Sequence, residues 1–203
     1  MVGLIVLIVV VVLLVLWGVA SYNRLVTSRN RAQESWSQID VELKRRHDLI
    51  PNLVETAKGY VQHERGTLEA VTEARANAVA QIPSGDAAKI AAAEGALTQS
   101  LRSLFAVAEN YPDLKAIAAF TSLQEQLTAT EDKIEFARRY YNGSVRDFNT
   151  ATQRFPTSLI AGALGFQAMQ YFEADEGDRA PVQVSFTEPP APPPTANRPP
   201  MAP

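Results

Sequence analysis

The first twenty-three residues, Met1 to Asn23, contain no Asp, Glu, Lys, Arg or His, and Val2 to Ala20 consist almost wholly of Val, Leu and Ile. A helix of about 20 such residues rises roughly 30 Å, the thickness of a bilayer's hydrocarbon core. The run therefore predicts a transmembrane helix over residues 1–22, with everything after Arg24 tethered beside a lipid surface. A cleaved signal peptide fits less well, because it needs a basic start, an apolar stretch of about 7 to 15 residues and a small-x-small site. Here no Lys or Arg precedes the run, the run is longer, and Val19-Ala20-Ser21 matches the site poorly. A buried core helix would need a domain large enough to surround it, which the remaining chain does not offer. Trp17 and Tyr22 fall near the exit, where amphipathic rings favour the headgroup region. Arg24, Arg29 and Arg31 follow the span, and basic flanks stay inside, so the N-terminus is expected outside and the C-terminal domain in the cytoplasm.

Cysteine is absent, which excludes disulfides, thiolate nucleophiles, Cys-based zinc sites and thioether lipidation. Residues 21–172 hold 17 basic and 17 acidic side chains, so the net charge of -3 arises in residues 173–203, with 2 basic and 5 acidic. A neutral domain without a basic stripe gives no support for nucleic-acid binding, which needs Lys and Arg clustered against phosphate.

Proline divides the rest of the chain. Nine of the thirteen lie between Pro181 and Pro203, leaving Pro51, Pro83, Pro112 and Pro156 as punctuation in a helix-favouring middle. The first helix after the span is predicted from Ser21 to Gln81, with a seam at Trp36, Ile39, Leu43, Arg46, Ile50, Leu53, Ala57 and Tyr60 in steps of three and four. Pro51 lies inside it and predicts a kink near His47. A second helix is expected from Asp86 to Glu109. A third, from Asp113 to Arg154, carries the cleanest repeat: Phe120, Leu123, Leu127, Thr130, Ile134, Ala137, Tyr141, Ser144, Phe148, Ala151 and Phe155. Apolar, Gly-containing Leu159 to Phe172 predicts a short fourth helix. The fold class is therefore all-α: a transmembrane helix, then a long antiparallel three- to four-helix up-and-down bundle over residues 23–172. Residues 173–186, where Val182, Val184 and Phe186 alternate with polar neighbours, are expected as an extended arm, and residues 187–203 as a disordered Pro-rich tail.

A search for chemistry finds no catalytic, cofactor-binding or metal site. His47 and His63 are the only histidines, about 24 Å apart along one helix, too far for a shared metal or a relay. His63-Glu64-Arg65-Gly66-Thr67 begins like a zincin helix but lacks the second histidine. No phosphate loop, nucleophile elbow or acidic cluster occurs, and no small-molecule substrate is indicated.

Two dense polar patches do stand out within the seams. One runs from Trp36-Ser37-Gln38-Ile39-Asp40-Val41 through Lys44-Arg45-Arg46 to Asp48-Leu49-Ile50-Pro51-Asn52-Leu53-Val54. The other runs from Leu127-Thr128 through Thr130-Glu131, Ile134, Ala137-Arg138 and Tyr141-Asn142 to Asn149 and Phe155-Pro156. Together, and with Tyr22-Asn23-Leu25-Val26, His63-Glu64, Ala74-Arg75 and Leu114-Lys115-Ala116, they resemble the LemA family of bacterial membrane-anchored helical proteins over residues 3–172. The resemblance implies one N-terminal membrane helix in the bacterial inner membrane, a long antiparallel bundle, and no enzymatic activity or cofactor. Some members of the family are associated with membrane organisation. Ile117-Ala118-Ala119 departs from the family pattern, where a polar residue follows Leu-Lys-Ala, and the Pro-rich tail lies outside it.

The patches admit two readings. Trp36, Asp40, Arg46, Glu131, Arg138, Tyr141 and Asn142 either line a groove for a partner or form a polar layer that sets helix register. The expected function is a membrane-anchored scaffold or interaction module, bound to the bilayer through residues 1–22 and to a protein partner or further copies of itself. The alternatives are a regulatory subunit of a membrane protein complex and, least supported, an enzyme using Glu131 or Asp40, for which no second group completes a site.

Overall fold

One helix of 57 residues, α1 (Val2–Lys58), carries the chain from the apolar stem into the bundle without interruption. The computed structural model describes residues 1–61 and 63–173; the Pro-rich tail and, apart from Glu173, the expected extended arm lie outside them. Every side chain from Val2 to Leu16 is exposed. Burial begins beyond the stem and returns at Leu25, Ala32, Ile39, Leu43, Ile50, Leu53 and Ala57, a seam in steps of three, four and seven. Pro51 lies inside α1 and has no N–H to donate to the carbonyl of His47. That carbonyl accepts instead from Arg75 Nε at 2.7 Å, so a neighbouring helix supplies the missing donor.

The expected helix to Gln81 is two helices. α1 ends at Lys58, the chain reverses beyond Gly59, and α2 (Arg65–Gln81) runs back along it. Glycine disfavours helix interiors, and the reversal brings Val61, Leu68 and Val71 into one buried cluster with Leu53, Val54 and Ala57. A 3-10 turn (Ile82–Ser84) and Gly85, at φ +64, then set up α3 (Ala87–Ala108). The left-handed backbone at Gly85 is open to glycine at little cost. Asp86 Oδ1 caps α3 by accepting from the backbone of Ala88 and Lys89 at 3.1 and 3.2 Å. The bond from Lys89 is the chief influence holding its carboxyl below the usual range.

The expected helix from Asp113 to Arg154 is also divided: α4 (Pro112–Lys115) is one turn, Ile117 is extended, and α5 (Ala118–Gln153) starts afresh. The break lets Leu114 and Phe120 bury in the same cluster as Ala108. The last helix, α6 (Thr157–Ala163), begins before and stops well short of the expected Leu159 to Phe172. Gly165, at φ +71, ends it, and the following residues to Glu173 form a non-helical strap whose backbone bonds to Asn side chains of α5 instead.

α1 packs along α5, and α2 along α3. Arg46 meets Glu131, Glu42 meets Lys133 and Trp36 meets Tyr141, so α1 and α5 run antiparallel. With the α1–α2 and α2–α3 reversals this is an up-down-up-down bundle. One core cluster fills the end far from the stem and draws on all four long helices. A second, nearer the stem, joins Ile39 and Leu43 to Ile90, Ile134, Tyr141 and Phe172. At the stem end, α6 and the strap replace the shorter α2 and α3: the ring of Phe166 meets Tyr22 at 6.1 Å and Phe148 at 6.3 Å.

Candidate functional site: a buried ionic layer and a strap seat

Arg46 occupies a seam position of α1 and is only 3% exposed, so its guanidinium must find its partners inside the bundle. It donates from Nη1 to Glu94 Oε2 at 3.1 Å and from Nη2 to Thr98 Oγ1 at 2.7 Å, both on α3. Glu131 of α5 approaches Nη2 at 3.1 Å as an ion pair. The other oxygen of Glu94 lies 2.7 Å from His47 Nε2, and Glu94 is itself 4% exposed. Three helices are thereby pinned at one level by charges that would be costly to bury alone. An open groove of about 890 Å³ runs beside the layer between α3 and α5, with Arg102 and Arg138 at its edge.

Nearer the stem, Trp36 stands edge-on to Tyr141 and to Phe172, with ring centres 5.2 and 5.6 Å away. Tyr141 donates its hydroxyl to the carbonyl of Gln170 at 2.9 Å, and burial pushes its pKa up. Asn142 accepts from the N–H of Phe172 at 2.8 Å and donates to its carbonyl at 3.1 Å. Asn149 does the same for Met169 at 2.8 and 2.9 Å. Each amide side chain thus mimics a strand neighbour for one residue of the strap.

The seven residues singled out from sequence do not form one site. Arg46 and Glu131 belong to the ionic layer, whereas Trp36, Tyr141 and Asn142 hold the strap. Arg138 is exposed at the groove's edge, and Asp40 is exposed on α1, apart from both groups. Glu94, Thr98, His47 and Asn149 complete these two arrangements and were not among the seven. Glu94 did carry a signal: Ile90, Glu94, Leu97, Leu101 and Leu104 follow steps of four, three, four and three, which puts its carboxylate on the seam of an Ala-rich helix. Among the described residues no group of three or more His, Asp or Glu side chains is arranged to hold a metal.

The sequence pattern of the LemA family matches residues 35–186, three quarters of the chain and all of both arrangements. The chain belongs to the LemA family. Protein LemA of Metamycoplasma hominis is 28% identical over 165 residues, which cover 80% of this chain and 74% of that protein. Magnetosome protein MamQ of Magnetospirillum gryphiswaldense is 24% identical over 184 residues, covering 79% of this chain and 68% of its own length. Magnetosome protein MamQ 1 of Paramagnetospirillum magneticum is 23% identical with the same coverage. In this LemA-family chain the matched segment opens at Ser35, one residue before Trp36, so the stem lies ahead of it and the ionic layer, strap seat and strap lie inside it.

Proposed function

We propose that this protein is a membrane-tethered helical scaffold, acting by contact and not by turnover. The observation that carries the reading is the continuity of α1: stem and bundle core are one helix, with no flexible linker between them. A glycine- or proline-rich linker would let the bundle tumble, whereas a helix transmits the direction in which it leaves the bilayer. Tethering also raises the local concentration of the bundle near its neighbours, so modest contacts suffice for assembly. The stem, by length and composition, is able to cross a membrane. Arginines at positions 24, 29 and 31 favour a cytoplasmic bundle. Two relatives carry the name of the magnetosome, in keeping with work at a membrane.

The test is photo-crosslinking in intact cells from a reactive residue replacing Phe136, which is exposed beside Val41 in an open groove between α1 and α5. The expected products are adducts of this chain with itself or with one membrane-bound neighbour, with the full stem present. A mature protein found in the aqueous fraction without its stem, and giving no adduct, sinks the reading. A reporter fused to the C-terminus and active only in the cytoplasm tests the side of the membrane.

A further inference from the structure

The bundle end nearest the stem combines a basic groove with an exposed apolar rim. Arg24 and Arg31, seven residues apart on one face of α1, line an open groove of about 620 Å³ together with Arg154, which α5 brings back from far along the chain. Asp147 is the sole acidic residue of the lining. Arg24, Arg31 and Arg154 take part in none of the ion pairs found among the described residues. Next to Arg154, around α6, Phe155, Leu159 and Leu164 expose 76, 66 and 56% of their surfaces. This end has a defined height, because Phe166, two residues beyond Leu164, packs its ring on Tyr22, only two residues past the end of the apolar stem at Ala20.

We propose that this end is a seat for anionic phospholipid, with Arg24, Arg31 and Arg154 meeting the headgroup phosphate and Phe155, Leu159 and Leu164 resting in the interfacial layer. The inference rests on the stem lying in a bilayer. If it does, the membrane surface passes at Ser21 to Arg24, and the groove begins at that level and rises about 10 Å along α1 to Arg31. Guanidinium forks suit phosphate oxygens, and each basic side chain near an anionic leaflet strengthens binding. Large apolar side chains beside a basic patch are the composition of interfacial membrane segments. Charge and apolar surface were brought to one level from residues 24–31 and 154–164, well over a hundred positions apart, which a stem flank alone does not require.

The native chain has no cysteine, so one introduced thiol is a unique label site. The full chain, placed in nanodiscs of phosphatidylcholine with a minor share of phosphatidylglycerol, carries a fluorophore at Leu13→Cys in the stem or at Ala163→Cys on α6. Quenching of the α6 label is read with a headgroup-level spin label on one lipid or the other, and quenching of the stem label, about 12 Å deeper along the helix, with a spin label on the acyl chain of either lipid. The stem label is expected to be quenched by both lipids. The α6 label is expected to be quenched preferentially by phosphatidylglycerol, the preference falling roughly fivefold for each of Arg24→Gln, Arg31→Gln and Arg154→Gln. It is expected to persist in Arg65→Gln at the opposite end of the bundle, and the α6 quenching itself to fall when Phe155, Leu159 and Leu164 are all serine. A quenched stem with an α6 label indifferent to lipid type or to the arginines overturns the seat and leaves the tether standing. An unquenched stem overturns the tether as well. Loss of the preference on adding millimolar inorganic phosphate reassigns the groove to a free anion and overturns the lipid assignment.

Discussion

Arg46 has three polar partners on two other helices, Glu94, Thr98 and Glu131, and substitutions at different depths in and beside this layer separate burial from charge. Arg46→Met leaves Glu94 at 4% exposure with His47 and no cation of fixed charge, so it is expected to cost about 3 kcal/mol or more. The Glu131 side chain is 43% exposed, so Glu131→Gln is expected to cost about 1 kcal/mol or less, its charge being screened by water. Arg138→Gln, on the surface, should fall within about 0.5 kcal/mol of the parent. Thermal unfolding of the full chain in detergent, followed by circular dichroism, ranks the three; an Arg46→Met protein as stable as the parent counts against the layer as a structural pin. Arg46 was legible because a charged residue sat in an apolar seam. Glu94 was harder to see, since a single acid among alanines reads as a solvated face until its spacing from Ile90 and Leu97 is counted.

At the scale of elements, helical periodicity located the buried faces within the helices but not at their ends, where Tyr60 and Phe155, expected in the seams, lie beyond α1 and α5 and are exposed, because helix ends depend on contacts that periodicity does not encode. The reversal after Lys58 follows from burying Val61 and Leu68, and lacks the proline that marks the turn at Pro83. Pro51 makes the α1–α2 contact measurable. Arg75→Leu should cost about 1–2 kcal/mol by leaving the carbonyl of His47 without a donor. In a Pro51→Ala background that carbonyl regains a helical N–H, so the same change should cost less. A double-mutant cycle reads the coupling, and strict additivity would exclude the compensating role of Arg75. The strap offers a second test. Asn149→Ala deletes two bonds to Met169, so hydrogen exchange should speed up at the Met169 amide, at a stability cost of about 2 kcal/mol. Tyr141 adds a pH dependence: its pKa is raised, so its contribution is complete below the ordinary phenol value of about 10 and disappears as pH rises through the folded value. Strap protection should therefore weaken in strong alkali, and this alkaline step should be missing in Tyr141→Phe.

At the scale of the whole molecule, the unbroken α1 turns a sequence boundary into a mechanical statement. The sequence divided stem from bundle at residue 22, yet the helix does not notice that boundary, because no glycine or proline falls between Val19 and Ile50 to break it and Phe166 braces Tyr22 from the side. From Asn23 to Lys58 the helix rises about 50 Å, so a bundle that stands off the bilayer holds its far turn, at Tyr60, roughly that distance above the headgroups. Energy transfer from a donor at Tyr60→Cys to acceptors on lipid headgroups should accordingly be weak in the native chain. A six-residue Gly-Ser insertion between Tyr22 and Asn23 removes the stiffness but leaves nearly all bundle contacts in place. It should broaden and shorten the donor heights while moving the unfolding temperature little. If the native chain shows strong transfer, the rod lies along the surface, and a scaffold that projects a fixed face into the aqueous phase is the wrong picture. If native and inserted chains give the same height, the stem's direction is not transmitted, and the continuity of α1 loses the mechanical role assigned to it.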